Sequence, residues 1–195
     1  KEIFSEVHKR KLLRRVWIAL ARTEAKAGIV RMDQVEELEE HKDEVDIAKA
    51  SEIESLIHHD LMAEIKTYAS QCPKAGGIIH MGATSMDALD NADAVRFSEA
   101  LDLILSRLDD LISALSEKAE EHKATATMAF THIQPAEVTT IGYRLSQTIQ
   151  DLLDDREQLL FVRRNIRGKG MKGAVGTAAS YSELLEGTGI SAMEM

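Results

Sequence analysis

Two long segments with a helical repeat of apolar residues constrain the fold of this 195-residue chain more than any other feature. In residues 88–123 the spacing between apolar residues is nearly that of a heptad, and residues 136–166 carry a similar stripe. The two stripes consist of Phe97, Leu101, Ile104, Leu108, Leu111, Leu115 and Ala119, and of Val138, Ile141, Leu145, Ile149, Leu152, Leu159, Val162 and Ile166. We predict two helices, the first of them roughly 50 Å long.

These two helices should pack antiparallel, because only a short segment joins them. Leu105 and Ile112 on the first, and Leu153 and Leu160 on the second, widen the apolar faces beyond a two-helix seam. Each helix therefore needs more than one neighbour, which predicts a bundle shared between subunits. Because the chain has only two prolines and 4% aromatic residues, helix is favoured throughout and the predicted fold class is all-α.

The chain before the long helices shows shorter amphipathic patterns. We predict an N-terminal helical domain over residues 1–87, followed by a bundle domain over residues 88–195. Within the first, helices are expected over residues 1–28, 33–46 and 50–71, with the second of these on the surface. A basic cluster surrounds the apolar stripe of the first helix, and it is interpreted as a solvated face. Its members are Lys9, Arg10, Lys11, Arg14 and Arg15.

Composition narrows the classes of function. A formal net charge of −9 argues against nucleic acid as a partner, although a local cationic pocket can still bind a small anion. The single Cys72 excludes an internal disulfide and suits a reducing compartment. No apolar run approaches the ~20 residues that span a bilayer, and the first four residues do not form a secretory signal. We expect a cytoplasmic protein without membrane contact.

The connection between the long helices, residues 125–137, displays a histidine. Pro135 disfavours helical geometry in the residue before it and suits the first turn of a helix. We therefore expect one helix to end near Lys123 and the next to begin at about Ala136. His132 lies between them, where it is either a solvated or capping residue or a catalytic imidazole.

A second polar cluster, His58, His59 and Asp60, falls within the predicted helix over residues 50–71. At 100° per residue His59 projects away from the apolar ridge of that helix. A neighbouring carboxylate can fix the tautomer of an imidazole and raise its basicity, so the cluster is either an exposed polar face or part of a site. A metal site is less well supported, because neither an i, i+4 histidine pair nor a cysteine pair occurs.

Two glycine-rich segments complete the candidates. In residues 76–87, Thr84 or Ser85 can cap the next helix, and the free N–H groups of such a helix start can also bind an anion. Residues 167–180 combine four glycines with three cations. They match no P-loop, and form either a flexible basic loop or a loop that folds over an anionic ligand.

Several of these segments together resemble the adenylosuccinate lyase family. They are His-Asp-Leu-Met-Ala at 59–63, Gly-Ile-Ile-His-Met-Gly-Ala-Thr-Ser at 77–85 with Asp90-Asn91 beyond, Phe-Thr-His-Ile-Gln-Pro-Ala at 130–136, and Lys-Gly-Ala-Val-Gly-Thr-Ala-Ala-Ser at 172–180. The resemblance spans about residues 10–187. The Thr-His-x-Gln motif alone indicates only the fumarase/aspartase superfamily, whereas the first two segments favour this family over argininosuccinate lyase or fumarase.

The resemblance implies an N-terminal helical domain followed by the long antiparallel helices of a fumarase/aspartase-type bundle. It also implies β-elimination of fumarate from adenylosuccinate, giving AMP, and from the succinyl-carboxamide ribotide, converting SAICAR to AICAR. That chemistry needs a base for the succinyl Cβ proton and an acid for the departing nitrogen, and no metal or organic cofactor.

Site roles follow from the resemblance residue by residue. His132 is the implied general acid, with Thr131 beside it at the substrate, and His59 either supports His132 or holds the substrate. His58, His59 and Asp60 are implied along the nucleotide. Thr84 and Ser85 are implied to bind a succinyl carboxylate, as their hydroxyl and N–H groups suit an oxygen that gains negative charge.

Other parts of the family pattern are missing. We find no mobile loop carrying the serine base, no N-terminal Arg-Tyr contact and no C-terminal helical domain, so we expect a fragment of a longer enzyme that is inactive alone. Family sites are assembled from three subunits of a homotetramer, which implies that His59 and His132 of one site belong to different chains. The alternatives are another lyase of the superfamily and a non-catalytic helical oligomerisation fragment.

Overall fold

The structure, a computed structural model, describes residues 1–194. Its helices are α1 Glu6–Lys26, α2 Met32–His41, α3 Ile47–Ile57, α4 Asp60–Gln71, α5 Ser85–Glu121, α6 Ile141–Asn165 and α7 Ala179–Leu184, with a 3₁₀ turn at Gly76–Ile78. The strands are β1 Ala126–Thr131 and β2 Gln134–Thr140, which pair antiparallel. The predicted all-α class is confirmed, with this one hairpin added. No helix in the described range is both long and apolar enough to cross a membrane.

The chain divides into two compact units. The first combines Lys1–Arg96 with the described residues from Arg167 onward, and the second is Phe97–Ile166. The domain boundary predicted at residue 87 stays a prediction. The division between the units falls within the continuous helix α5. Its first turns belong to the first unit and the remainder to the second.

The core of the first unit forms around α1, α2 and α4. Trp17, Leu38 and Tyr68 are at most 1% exposed. The surface placement predicted for the second helix is therefore wrong: Val35 and Leu38 of α2 are 1% and 0% exposed. Their spacing of three residues puts both on one face, and that face turns to the core while the acidic residues turn outward.

Two arginines of the predicted solvated cluster are also buried, which corrects that interpretation. Arg10 and Arg14 are 7% and 0% exposed. Arg10 Nη1 lies 2.7 Å from Glu64 Oε2, and Arg14 Nε lies 2.9 Å from Glu64 Oε1. Arg14 also donates to the carbonyl oxygens of His41 and Glu44. The compensating carboxylate lies on α4, far along the chain, so the local pattern of α1 does not reveal it.

In the second unit α5 and α6 pack side by side. Asp109 pairs with Arg156 at 2.6 Å, and the earlier Asp102 pairs with the later Arg163 at 2.7 Å. This order confirms the predicted antiparallel arrangement. Gly142 is buried at the contact, where an added Cβ would meet the carbonyl oxygen of Ala119 at 2.4 Å.

Large apolar side chains remain exposed on both long helices of the second unit. Leu105 is buried, but many others on these helices are 40% exposed or more, including Phe97, Leu103, Ile104, Leu111, Leu153, Phe161 and Val162. Soluble proteins rarely leave so many large apolar groups uncovered on neighbouring surfaces. This exposure fits the expectation that each helix has further neighbours, which stays a prediction.

Candidate functional site

The segment that carries His132 is a β-hairpin. The helix predicted from residue 136 is wrong at its start, because residues 134–140 form β2 and α6 begins at Ile141. Thr140 caps α6, its hydroxyl accepting from Tyr143 N at 3.1 Å. Pro135 lies opposite Phe130 beside a register shift, a position that tolerates the missing N–H of proline in a two-stranded sheet. Threonines and other β-favouring residues on both sides outweigh the preference of proline for a helix start.

His132 and Ile133 form the two-residue turn of the hairpin. Thr131 pairs with Gln134, and the φ angles of the two residues between them are +49° and +66°. Positive φ at both central positions is what a type I′ turn requires, and it is unfavourable for a β-branched residue such as Ile133. Thr131 and His132 are exposed. The hairpin thus presents an imidazole at its tip on a backbone with little freedom.

The cluster of His58, His59 and Asp60 lies between two helices. The single helix predicted over residues 50–71 is wrong, because α3 ends at Ile57 and α4 begins at Asp60. His58 has a φ of +54° and ends α3 in the left-handed conformation. Since His59 lies outside both helices, the helical projection used to orient it does not apply.

His59 caps α4 through its side chain. Its Nδ1 accepts a hydrogen bond from Met62 N at 3.3 Å. An imidazole nitrogen that accepts carries no proton, so the neutral ring bears its proton on Nε2. Asp60 Oδ1 accepts from Leu61 N at 2.7 Å and lies 3.8 Å from His59 Nδ1. The structure therefore gives His59 a defined ring orientation, whereas His58 is exposed.

Thr84 and Ser85 stand at the start of α5, as predicted. Thr84 N donates to Asp87 Oδ2 at 3.1 Å, and Asp87 N donates to Thr84 O at 3.0 Å. Asp87 therefore stabilises this helix start. Both Thr84 and Ser85 are half-buried. Within residues 1–194 neither hydroxyl takes part in a hydrogen bond, so both remain available to a ligand at the helix N-terminus.

Asp87 also holds the basic glycine-rich loop. It is 1% exposed and accepts from Lys172 N at 3.0 Å, from Gly173 N at 3.0 Å and from Tyr181 Oη at 3.2 Å. Burial alone would raise the pKa of the Asp87 carboxyl, but these hydrogen bonds and that from Thr84 N favour the ionised form, and the pKa is lowered. The sequence pattern places Asp87 in the first turn but does not reveal these long-range partners.

Two further residues of α5 contact the same loop. Asn91 exchanges two hydrogen bonds with the backbone of Gly170, both at 3.2 Å. Asp90 Oδ2 accepts from Lys169 Nζ at 2.6 Å. The first half of residues 167–180 is therefore hydrogen-bonded to α5, and the choice between a flexible basic loop and a loop over an anionic ligand stays a prediction. Nothing in this arrangement tests the contact with an anionic ligand.

His80 has no role in the sequence pattern, yet it joins this cluster. Trp17 Nε1 donates to His80 Nδ1 at 3.0 Å. Burial lowers the pKa of His80, the charge of Asp87 raises it, and the charge of His59 lowers it further. His59, His80 and Asp87 are thus close enough to affect one another within the first unit. The only hint in the sequence is the position of His80 four residues before Thr84.

The first unit also contains a polar cavity of about 220 Å³ beside Asp60, lined in part by Arg10 and Glu64. Within residues 1–194 no three His, Cys, Asp or Glu side chains are arranged to hold a metal ion. The candidate residues supply exposed imidazoles, at His58, His59 and His132, and the free hydroxyls of Thr84 and Ser85. Such groups bind anionic oxygens and transfer protons.

Comparison with known proteins identifies the family. A family model described as Lyase matches residues 4–185. The chain belongs to this lyase family. It is 42% identical over 186 residues to adenylosuccinate lyase of Schistosoma mansoni, a match covering 94% of the chain and 39% of the relative. It is 39% identical over 178 residues to adenylosuccinate lyase of Saccharomyces cerevisiae, covering 89% of the chain and 37% of the relative.

Solved structures of other proteins share the fold. The lyase chain aligns with 3-carboxy-cis,cis-muconate lactonizing enzyme from Pseudomonas putida at a TM-score of 0.84 and 28% identity, covering 96% of this chain and 46% of that one. It aligns with fumarate lyase from Mesorhizobium sp. BNC1 at a TM-score of 0.84 and 24% identity, covering 92% and 43%. The chain thus spans about two fifths of the length of the curated relatives that it matches.

Proposed function

We propose that this chain is part of an adenylosuccinate lyase, which eliminates fumarate from adenylosuccinate to give AMP and from SAICAR to give AICAR. The observation that carries the proposal is the 42% identity to a curated adenylosuccinate lyase over 94% of the chain. Because that match covers 39% of the relative, the activity belongs to a longer protein that contains this chain.

In this proposal His132 is the general acid that protonates the purine-side nitrogen as it leaves. Its exposed ring at the hairpin tip supports this role, because a general acid must reach the departing atom and exchange its proton with solvent between turnovers. Thr131, also exposed at the strand end, lies at the substrate beside it. The base that removes the Cβ proton lies outside this chain.

His59 is proposed to hold the substrate. Because Met62 N occupies its Nδ1, the neutral ring has one hydrogen-bonding atom left, and that atom is the donor Nε2. A donor suits an anionic or carbonyl oxygen of the nucleotide, along which His58 and Asp60 are also proposed to lie. The free hydroxyls of Thr84 and Ser85 at the start of α5 are proposed to bind a succinyl carboxylate.

We propose a cytoplasmic homotetramer in which His59 and His132 of one site come from different chains. The exposed apolar residues of α5 and α6 support further helix packing between subunits. Nucleic acid and membrane are not proposed as partners, and the proposed elimination uses acid–base chemistry without a cofactor.

The experiment compares fumarate release by the longer protein with that of two variants. His132→Gln should lower kcat by roughly 10²- to 10⁴-fold, the range for loss of a general acid. His122→Gln is the matched control, because His122 is a partly exposed histidine of the same unit whose ring contacts Thr125 and Glu121. A kcat for fumarate release by His132→Gln as high as that of an active His122→Gln would disprove the role of His132. The unextended 195-residue chain should release no fumarate.

Subunit sharing has its own experiment, in which His59→Ala and His132→Ala variants of the longer protein are mixed. Some mixed tetramers contain sites in which His59 comes from a His132→Ala chain and His132 from a His59→Ala chain, so part of the activity should return. Demonstrated subunit exchange without recovery would disprove the shared site.

A second candidate is another lyase of the family, supported by the 28% identity to the lactonizing enzyme from Pseudomonas putida. A tetramer inert toward adenylosuccinate but active on a different carboxylated substrate would favour it.

A further inference from the structure

The indole of Trp17 makes a hydrogen bond whose direction is fixed by its chemistry. Indole Nε1–H is a donor only, and it lies 3.0 Å from Nδ1 of His80. Two N–H groups cannot share one hydrogen bond, so His80 Nδ1 must present its lone pair. We propose that Trp17 is a positioning residue that fixes His80 as the tautomer with its proton on Nε2, creating a permanent hydrogen-bond donor at this position.

Packing prevents Trp17 from releasing this contact. Trp17 is 1% exposed, and Tyr68 stacks against it with ring centroids 6.4 Å apart. His80 meets the indole nearly edge-on, with an interplanar angle of 81° and a centroid separation of 6.0 Å. Side chains in a close-packed core cannot rotate without opening space, so the donor direction of the indole is set by the core. The core thereby sets the orientation of the His80 ring.

The same geometry opposes protonation of His80. A proton on Nδ1 would face the indole N–H and would break the hydrogen bond. Three elements supply groups that act on this ring: Trp17 from α1 through its hydrogen bond, and His59 from the α3–α4 junction and Asp87 from α5 through their charges. Burial and the charge of His59 lower the pKa of His80 against the opposing charge of Asp87. His80 is therefore neutral near pH 7, with its proton on Nε2.

The role of the His80 Nε2–H donor in binding substrate rests on the proposed function. The tautomer itself rests only on the hydrogen bond from Trp17. His59 also has an Nδ1 that accepts a hydrogen bond, so the first unit holds two imidazoles whose neutral form donates through Nε2. Two such donors recognise acceptor oxygens of a substrate without taking its protons. His80 then binds and orients, and proton transfer falls to the exposed His132.

The tautomer is measurable on the 195-residue chain itself by long-range ¹H–¹⁵N correlation spectra of ¹⁵N-labelled protein at pH 7. Signals of His80 are identified by their loss in His80→Gln. We expect the wild-type Nδ1 to resonate as an unprotonated nitrogen and Nε2 as a protonated one. A protonated Nδ1 in the wild type overturns the proposal, so the experiment decides even if Trp17→Phe fails to fold.

Trp17→Phe keeps an aromatic ring and removes the donor. The ratio of the two His80 tautomers should shift by roughly tenfold toward Nδ1–H, which equals ~1.4 kcal/mol and the upper range of one net hydrogen bond. The pKa of His80 should rise, because the removed bond stabilised only the neutral ring. A folded Trp17→Phe chain with an unchanged tautomer ratio overturns the proposal.

Tyr68→Phe is the matched control. It removes a buried hydroxyl that donates to Leu38 O in the same core, without touching His80. It should lower the melting temperature and leave the tautomer ratio unchanged. Equal tautomer shifts in both variants would mean that general packing of the core determines the tautomer of His80, and would overturn the role of Trp17. Absence of lyase activity in the longer protein would leave these spectra unaffected, so the two proposals fail separately.

Discussion

Asp87→Asn tests whether one buried carboxylate joins the start of α5 to the glycine-rich loop. Its oxygens accept four hydrogen bonds, from Lys172 N on Oδ1 and from Thr84 N, Gly173 N and Tyr181 Oη on Oδ2. Asparagine replaces one oxygen with an NH₂ group, so at least one buried donor loses its acceptor. The remaining bonds lose the charge that strengthens them.

The magnitude follows from these contacts. One buried donor left without a partner costs about 1–3 kcal/mol, and each bond to an ionised group is about 1 kcal/mol stronger than its neutral counterpart. Because neighbouring contributions are not additive, we expect the free energy of unfolding to fall by about 3 kcal/mol. For a chain of this size that corresponds to a melting temperature lower by about 6–12 °C.

The assay is urea unfolding followed by circular dichroism, with Asp90→Asn as the matched control. Asp90 lies on the same helix and contacts the same loop, but its single ion pair with Lys169 joins side chains that are 32% and 45% exposed. Such a pair contributes less than about 1 kcal/mol. Amide exchange at Lys172 and Gly173 should accelerate in Asp87→Asn and stay unchanged in the control.

The effect should also depend on pH. The pKa of Asp87 is lowered in the folded state, so on acidification the unfolded chain takes up the proton first, below about pH 4. The stability from the ionised carboxylate is thus fully present above that pH and is lost as the pH falls through the folded pKa. The gap between wild type and Asp87→Asn should narrow there. A fall in the free energy of unfolding of less than about 0.5 kcal/mol at pH 7, or an equal fall in Asp90→Asn, would refute the reasoning.

Two further substitutions test buried charge and backbone strain. Burial raises the pKa of Glu24 to about 7, and neither of its oxygens has a hydrogen-bond partner within residues 1–194. The free energy of unfolding of the wild type should therefore fall as the pH rises from about 4.3 to 7. Glu24→Gln should remove that fall, so its free energy of unfolding at pH 8 should be higher by roughly 2–4 kcal/mol. Equal pH dependence of the two proteins would contradict this. Ile133→Gly should relieve the strain of a φ of +66° and stabilise the hairpin by roughly 0.5–1 kcal/mol, measured by slower amide exchange at Gln134. Ile133→Ala, which keeps a Cβ, should give no such gain.

Apolar periodicity predicts those parts of the fold in which a helix buries one face. It places α1, α5 and most of α6 correctly, because their stripes persist over many turns. It fails at His58, where the helical pattern continues through a single residue that takes a left-handed conformation. It fails again at residues 134–140, because strand pairing within a hairpin depends on residues across the turn as well as on local preference.

Long-range partners explain what the sequence could not show of the site. Motif resemblance proposes His59, Thr84 and His132 as site residues, and the position of Asp87 in the first turn of α5 is visible as a helix start. The partners of Asp87 on the glycine-rich loop and of His80 on α1 lie far away along the chain. Contacts of this kind depend on tertiary packing, which no local pattern encodes.

Three histidines that look alike in the sequence differ in their hydrogen bonds and in their exposure. His59 and His80 each have Nδ1 occupied by a donor, from Met62 N and from the indole of Trp17. In its neutral form each of these rings therefore donates from Nε2. His132 lies exposed at a hairpin turn. This exposed position supports the proposal that His132 is the acid of the elimination, because a general acid must reach the departing atom.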